Sequence, residues 1–345
     1  MNLLIGATLL LLVGCTGIRP PATPNVNEIS QTIPYSDSRI TRLGRWTDTG
    51  SGVFSGWSSS QLIFTVRGTN FVNVICDIRD TNSTDYSLIA YSIDNDPANL
   101  SSITLSKKDQ IISGTKSGTI PMPNLGTHTV TVQVMGAYTS QYENTSRISV
   151  KAIELSVPGT LSTWTQGTVN LQTIGDSWTA AYKGMTRLLD RAYFKIYSVA
   201  TPGITMAAMR PQYAFDYYTS LNTSDPVMAG LVIMYGVNEY NGDVTTEQFK
   251  TNMLALIDLV RFKQPTAKII LVRTPSNTAA NKLYGQYGTV MSEISGIRAN
   301  TFYFDTSSFD EELVGKWHDE GHLNAEGKVL LMSALEKYLK TTVGL

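Results

Sequence analysis

At 345 residues the chain exceeds a usual single domain, and two domains are the natural expectation. Hydrophobic residues make up 42% and charged residues 16%, a balance that suits packed cores and excludes a largely disordered chain. A formal net charge of -1 excludes the basic footprint of a nucleic-acid binder, and charges or turn residues break the longer apolar segments past the N-terminus, so no membrane-spanning helix is predicted.

The chain opens on an apolar run from Leu3 to Val13, ending in Leu12-Val13-Gly14-Cys15. This resembles a bacterial lipobox, in which the cysteine is lipidated and becomes the new N-terminus. The run has the length of an export signal and is too short to span a bilayer. Met1-Asn2-Leu3-Leu4 departs from the pattern, since it carries no Lys or Arg. Residues 1–15 are therefore expected to be a lipoprotein-type signal segment with Cys15 as the lipidation site. An ordinary cleaved signal is the alternative. Residues 16–32 contain Pro20, Pro21 and Pro24 and read as an extended tether that holds a folded body off a membrane. Cys76, the other cysteine, lies in a strand-like run and is expected to be a buried free thiol, with no disulfide.

Residues 33–158 are strand-like. Leu62-Ile63-Phe64-Thr65-Val66 leads through a Gly68-Thr69-Asn70 turn into Phe71-Val72-Asn73-Val74-Ile75-Cys76. Tyr86 to Ile93 is a further strand, closed by Asp94-Asn95-Asp96-Pro97. Thr127 to Val134 alternates polar and apolar residues with period 2, as a half-buried strand does. Arg147 to Leu155 is the last. Short strands between Gly, Asn, Asp and Ser turns predict a β-sandwich or jelly roll.

The character changes near Pro158. Over residues 165–345, strands alternate with helical patterns. Strands are predicted over Val169–Ile174, Tyr197–Ala200, Val227–Met234, Lys268–Val272 and Asn300–Phe304. Helices are predicted over Thr179–Tyr193, Thr246–Lys263, Ser276–Ser295 and Asn324–Leu339. Val227–Met234 is apolar enough for burial on both faces of a parallel sheet. The alternation predicts an α/β/α sandwich with that sheet at its centre.

The chemistry lies in this second part. Ile174-Gly175-Asp176-Ser177-Trp178 places a serine between the end of a strand and the start of a helix, where open α/β sheets bind ligands and helix N–H groups favour negative charge. A serine there can equally be a helix cap. A nucleophilic serine needs a base, and the base needs a partner that holds its tautomer. Trp317-His318-Asp319-Glu320-Gly321-His322 supplies both in Asp319 and His322. His318 is the competing base, with packing beside Trp317 as its other role. His128 sits in the alternating strand of the first part and reads as structural. Asn238, in Tyr235-Gly236-Val237-Asn238-Glu239, and Gly203, after the Tyr197–Ala200 strand, can donate hydrogen bonds to an oxyanion. Taken singly, each is also an ordinary turn residue.

Gly-Asp-Ser, Gly, Gly-x-Asn and Asp-x-x-His in this order resemble the blocks of the SGNH-hydrolase (GDS-type esterase and lipase) superfamily. The resemblance implies Ser177 as nucleophile and His322 as general base and acid, with Asp319 orienting His322. It implies Ser177, Gly203 and Asn238 as oxyanion-hole donors. Glu239 stands where many members have Asp, and Trp178 where small or aliphatic residues are common. Gly44-Arg45-Trp46, Phe54-Ser55-Gly56-Trp57, Arg67-Gly68-Thr69, Tyr91-Ser92-Ile93-Asp94 and Gly126-Thr127-His128 are similar to the N-terminal jelly roll of the second carbohydrate-esterase family. That family joins such a domain to an SGNH domain and removes acetyl groups from sugar hydroxyls. Some of its members lack the triad acid; here Asp319 is present.

The expectation is thus an exported esterase, a jelly roll followed by an SGNH domain, acting on an acetylated polysaccharide and held to the membrane through Cys15. Trp178, Trp317 and Tyr235 are candidate substrate-binding residues, whereas Trp46 and Trp57 read as core. No metal and no organic cofactor are expected: His318 and His322 would need further ligands from elsewhere to hold zinc. The rival readings are a lipase, thioesterase or acetyltransferase with the same triad, and a non-catalytic glycan-binding or structural assembly protein. A secreted protein or a component of a viral particle is the alternative to an envelope lipoprotein.

Overall fold

The computed structural model describes residues 28–44, 46–54, 60–80, 88–94, 100–105, 113–135, 146–165, 167–179, 189–190, 192–200, 206 and 226–345. Cys15 and its signal-like segment, the Pro-rich stretch, Trp57, Gly203 and residues 180–188 of the predicted Thr179–Tyr193 helix lie outside them.

The first part is built of strands β1 (Ile29–Pro34), β2 (Thr41–Leu43), β3 (Thr47–Asp48), β4 (Val53–Phe54), β5 (Gln61–Arg67), β6 (Phe71–Asp80), β7 (Leu88–Ile93), β8 (Leu100–Thr104), β9 (Ser113–Pro121), β10 (Thr127–Met135), β11 (Ser146–Ser156) and β12 (Thr160–Ser162). They form two antiparallel sheets. One runs β3-β4-β11-β6-β9, with β1 also on β11; the other runs β12-β5-β10-β7-β8, with β2 also on β5. Period-2 patterning drives their packing. Val72, Val74, Cys76 and Ile78 of β6 point inward and are fully buried against Leu62, Phe64 and Val66 of β5 and Val130 and Val132 of β10. Strand β1 begins inside the segment read as tether. Its Ile33 is buried in this core, and Ser30 Oγ donates to the Leu155 carbonyl of β11 at 3.1 Å.

β5 breaks strict alternation, because Ile63 is buried as well as its neighbours. The cause is tertiary. Ile63 packs outward with Leu43 and Trp164 against Tyr197 of the second part, and Gln61 Nε2 donates to the Ile196 carbonyl at 3.4 Å.

The second part centres on a parallel sheet of β13 (Val169–Gly175), β14 (Phe194–Ala200), β15 (Gly230–Met234), β16 (Lys268–Val272) and β17 (Thr301–Phe304), in the order β14-β13-β15-β16-β17. Its helices are α1 (Val237–Asn241), α2 (Thr246–Lys263), α3 (Gly288–Ile297) and α4 (Ala325–Tyr338). Leu231 and Ile233 of β15 face α2 and α3, while Val232 and Met234 face α4. That explains why the strand reads as continuously apolar. A reciprocal capping box between Thr245 and Gln248 starts α2, and the Asn324 side chain caps α4. Among the described residues, no helix is long and apolar enough to cross a membrane.

One predicted helix is not formed as expected. Residues 276–295 hold two short 3-10 turns, Thr278–Ala280 and Tyr284–Tyr287, before α3 begins. Arg273 is the reason. Its guanidinium makes a bidentate pair with Asp310, at 2.9 and 2.7 Å, and lies against Gly285, while its aliphatic shaft lies against Gly288, so neither position has room for a Cβ. Asn281 adopts a left-handed φ of 53°, which interrupts any helix through that point.

Burial also sets the chemistry of Cys76, whose thiol is pushed well above its ordinary value. The thiolate is the reactive species. Cys76 is therefore expected to resist a thiol reagent such as DTNB in the native protein and to react in denaturant. Peptide mapping of the modified cysteine checks this, and rapid native labelling at Cys76 would contradict the packing.

Candidate active site

β13 ends on Gly175, and the chain turns there. A Cβ on Gly175 would lie 2.2 Å from the Met234 carbonyl oxygen and 2.6 Å from Thr179 Oγ1, so only glycine fits between the strand ends. Asp176 follows, fully enclosed. Its Oδ1 accepts the Trp178 N–H at 2.9 Å. Asp176 thus closes this turn, and the Ser177 hydroxyl bonds elsewhere.

That partner is His322. Its Nε2 lies 2.7 Å from Ser177 Oγ, and its Nδ1 lies 2.8 and 3.1 Å from the two Asp319 oxygens. A carboxylate only accepts, so in the neutral ring Nδ1 carries the proton and Nε2 accepts the serine hydroxyl. Asp319 and His322 face each other across a two-residue turn, between β18 (Trp317–Asp319) and β19 (His322–Leu323). The Gly321 N–H donates to Asp319 Oδ1 at 2.9 Å and fixes that carboxylate. Ser177 is 7% exposed, so the serine is buried with a small part of it open to solvent. His318 points into solvent on β18. His128 is held between Asp94 Oδ2 at 2.7 Å and Asn124 Oδ1 at 3.0 Å in the β-sandwich, where it locks a turn.

Asn238 enters from α1. The turn before it depends on Gly236, whose φ of 151° and whose crowding by Thr274 and the Tyr284 carbonyl exclude a side chain. Asn238 Nδ2 donates to Asp176 Oδ2 at 3.0 Å. That bond ties the Asn238 carboxamide to the residue before Ser177. Glu239, next in sequence, is 0% exposed and its Oε1 accepts the Met206 N–H at 2.6 Å. Burial, and next the nearby Glu239, push the Asp176 carboxyl up to about 8; burial pushes Glu239 up to about 7. Neither connection was foreseeable from motif spacing, since each joins side chains and backbone far apart in the chain.

Two of the candidate substrate-binding residues lie deeper than expected. Trp178 is 2% exposed and Tyr235 3%, and both belong to the hydrophobic cores. Their place beside the motifs in sequence reflects packing under the site. Trp317 is half-buried and packs edge-on against Trp178, with centroids 5.9 Å apart. It is the one of the three with a face near the surface. Among the described residues, no group of three or more His, Cys, Asp or Glu side chains is placed to hold a metal ion.

No protein-family model matches the chain, and no curated protein sequence matches it. Solved structures do. A family two carbohydrate esterase from Clostridium thermocellum in complex with cellohexaose is 16% identical, with 88% of this chain and 99% of that chain covered and a TM-score of 0.58. An acetyl xylan esterase from the rumen bacterium Butyrivibrio proteoclasticus is 12% identical, over 91% and 99%, with a TM-score of 0.62. A salicylyl-acyltransferase from a tetracycline biosynthetic pathway is 12% identical, over 91% and 99%, with a TM-score of 0.58. At these identities the likeness shows the fold alone, which is shared with family two carbohydrate esterases and with a putative GDSL-like lipase from Bacteroides ovatus. More particularly, it is the arrangement of the family two carbohydrate esterases, with a jelly roll leading into the SGNH unit.

The two buried acids give a pH test of this geometry. Both keep a proton in the folded chain at pH values where the unfolded chain has lost it. The folded state therefore binds more protons, and stability falls as pH rises from the ordinary carboxyl range through about 7 for Glu239 and about 8 for Asp176. The slope approaches about 1.4 kcal/mol per pH unit for each group. Glu239→Gln is expected to flatten it, as read from urea midpoints over roughly pH 5 to 8. An unchanged slope would show that Glu239 does not hold that proton.

Proposed function

We propose that the chain is a serine esterase that removes acetyl groups from a polysaccharide. The observation that carries this reading is the continuous Asp319–His322–Ser177 hydrogen-bond line, with contacts of 2.8 and 2.7 Å. Ser177 Oγ attacks the ester carbonyl carbon as His322 Nε2 takes the hydroxyl proton. The carbonyl oxygen becomes an oxyanion, and Asn238 Nδ2 and the N–H groups of Ser177 and Gly203 receive it. His322 then returns its proton to the departing sugar oxygen, leaving acetyl-Ser177. Water attacks that ester with His322 again as base, and acetate leaves as Ser177 regains its proton. Asp319 stabilises the imidazolium that forms at each step.

Several features support the substrate class. Solved structures with this fold include an acetyl xylan esterase and an esterase holding cellohexaose. Trp317, half-buried near His322, offers an aromatic ring of the kind that stacks on sugars. An acyltransferase shares the fold, so transfer of the acyl group to an alcohol is the second reading. The sequence before residue 28 supports export and anchoring at Cys15 as part of the same reading.

Acetate release from p-nitrophenyl acetate and acetylated xylan tests the reading. Ser177→Ala is expected to lower kcat by on the order of 10⁴–10⁶. Asn238→Ala is expected to lower it by about 10²–10³ with KM little changed. Equal rates for wild type and Ser177→Ala would sink the esterase reading. Faster product formation with an added alcohol, trapped as its acetyl ester, would favour transfer. For the anchor, a Cys15→Ser chain is expected to leave the membrane fraction; unchanged fractionation would count against lipidation.

A further inference from the structure

Tyr284 takes no part in the steps above, yet it is 2% exposed and sits where three site elements meet. It belongs to the second 3-10 turn between β16 and α3. Its hydroxyl donates to the Glu320 carbonyl at 3.0 Å, and Asn277 Nδ2 from the preceding turn donates to the same oxygen at 3.3 Å. Glu320 is the first residue of the turn between Asp319 and His322. Both donors therefore hold the tip of the hairpin that presents the acid and the imidazole.

The ring makes the other connections. It stands edge-on to Tyr240 in α1, at 5.3 Å and 88°, two residues beyond Asn238. It leans on Trp317 of β18 at 6.4 Å, and Trp317 meets Trp178 at 5.9 Å, next to Ser177. A row of aromatic rings thus touches the elements that carry Asn238, Asp319 with His322, and Ser177. β18 and β19 form a two-stranded sheet apart from the parallel one. A lone hairpin is marginal in water, so its height above Ser177 depends on what grips it from outside.

We propose that Tyr284 is a positioning residue for the Asp319–His322 pair, holding the Glu320 carbonyl so that His322 Nε2 reaches Ser177. The inference rests on the esterase reading. Burial, with the Glu320 and Asp319 charges, pushes the Tyr284 phenol up to about 12, which keeps the hydroxyl a donor at neutral pH. Lys282 Nζ, 3.3 Å from the Glu320 carboxylate, is a partly exposed ion pair and adds little grip.

Tyr284→Phe keeps the ring contacts and removes the donor alone. Tyr287→Phe is the control. It deletes another buried phenol of the same turn, whose hydroxyl donates to Val244 at 2.8 Å, away from the hairpin. On p-nitrophenyl acetate, Tyr284→Phe is expected to lower kcat between about 10- and 100-fold with KM within about twofold. The ring 15N shifts of His322 are expected to change from one Nδ1–H tautomer to a mixture. The chain has just three histidines, and the signal lost in His322→Gln is that of His322. Tyr287→Phe is expected to preserve kcat and the tautomer. The proposal is overturned if Tyr284→Phe leaves both unchanged, or if the two variants lose activity equally. If wild type turns over no faster than Ser177→Ala, the esterase reading fails, and the His322 tautomer in Tyr284→Phe alone decides the positioning role.

Discussion

The contact between Ser177 and His322 joins residues 145 positions apart, and neither element could make it alone. Ser177 is fixed by a parallel strand and a turn that admits only glycine before it. His322 rides on a small hairpin outside that sheet. A hydrogen bond of 2.7 Å tolerates little error in either placement. Much of the surrounding structure can be understood as serving that tolerance: Gly175 wedged under Met234, Gly321 donating to Asp319, and two side chains gripping the Glu320 carbonyl.

Beneath the contact lies a costly choice. Asp176 and Glu239 are buried carboxyls, Glu239 close enough to raise the proton affinity of Asp176, and burying such groups opposes folding. They are retained at junctions: Asp176 links the Trp178 backbone to Asn238, and Glu239 links α1 to the backbone of Met206. Apolar residues of equal volume would pack there more cheaply. They would not hold the Asn238 carboxamide beside Ser177. Stability is given up locally for orientation, the usual sign of a functional site.

Legibility in the sequence followed the range of the interactions. The strand-like run of β6, the alternation of β10, the apolar run of β15 and the helical pattern of α2 are local, and they pointed to the sandwich, the parallel sheet and a helix. Ser177, Asp319 and His322 were legible because acyl chemistry restricts which residue types can serve, and because the order of their motifs resembles that of the SGNH-hydrolase blocks. Depth was not. Trp178 and Tyr235 flank the motifs, but sequence neighbourhood does not say whether a ring faces a cleft or a core. The 276–295 segment read as one helix, and the interruption comes from the pairing of Arg273 with Asp310, 37 positions further along the chain. The bonds from Asp176 to Asn238 and from Glu239 to Met206 were hidden for the same reason. Gly203 and Cys15 lie outside the described residues.

The outward face of β5 has a consequence for β14. As the terminal strand of the parallel sheet, β14 would offer a row of unpaired backbone groups to any extended chain that met it. Instead Gln61 occupies the Ile196 carbonyl, and Leu43, Ile63 and Trp164 cover Tyr197 beside it. The sandwich therefore serves as a bumper on the open margin of its neighbour, in the way natural sheets blunt their edges against strand addition. A second unit that brought only sugar-binding surface would not need this docking. Cutting the chain between the two would leave that margin bare, and self-association through it would follow whatever the fate of the catalytic groups.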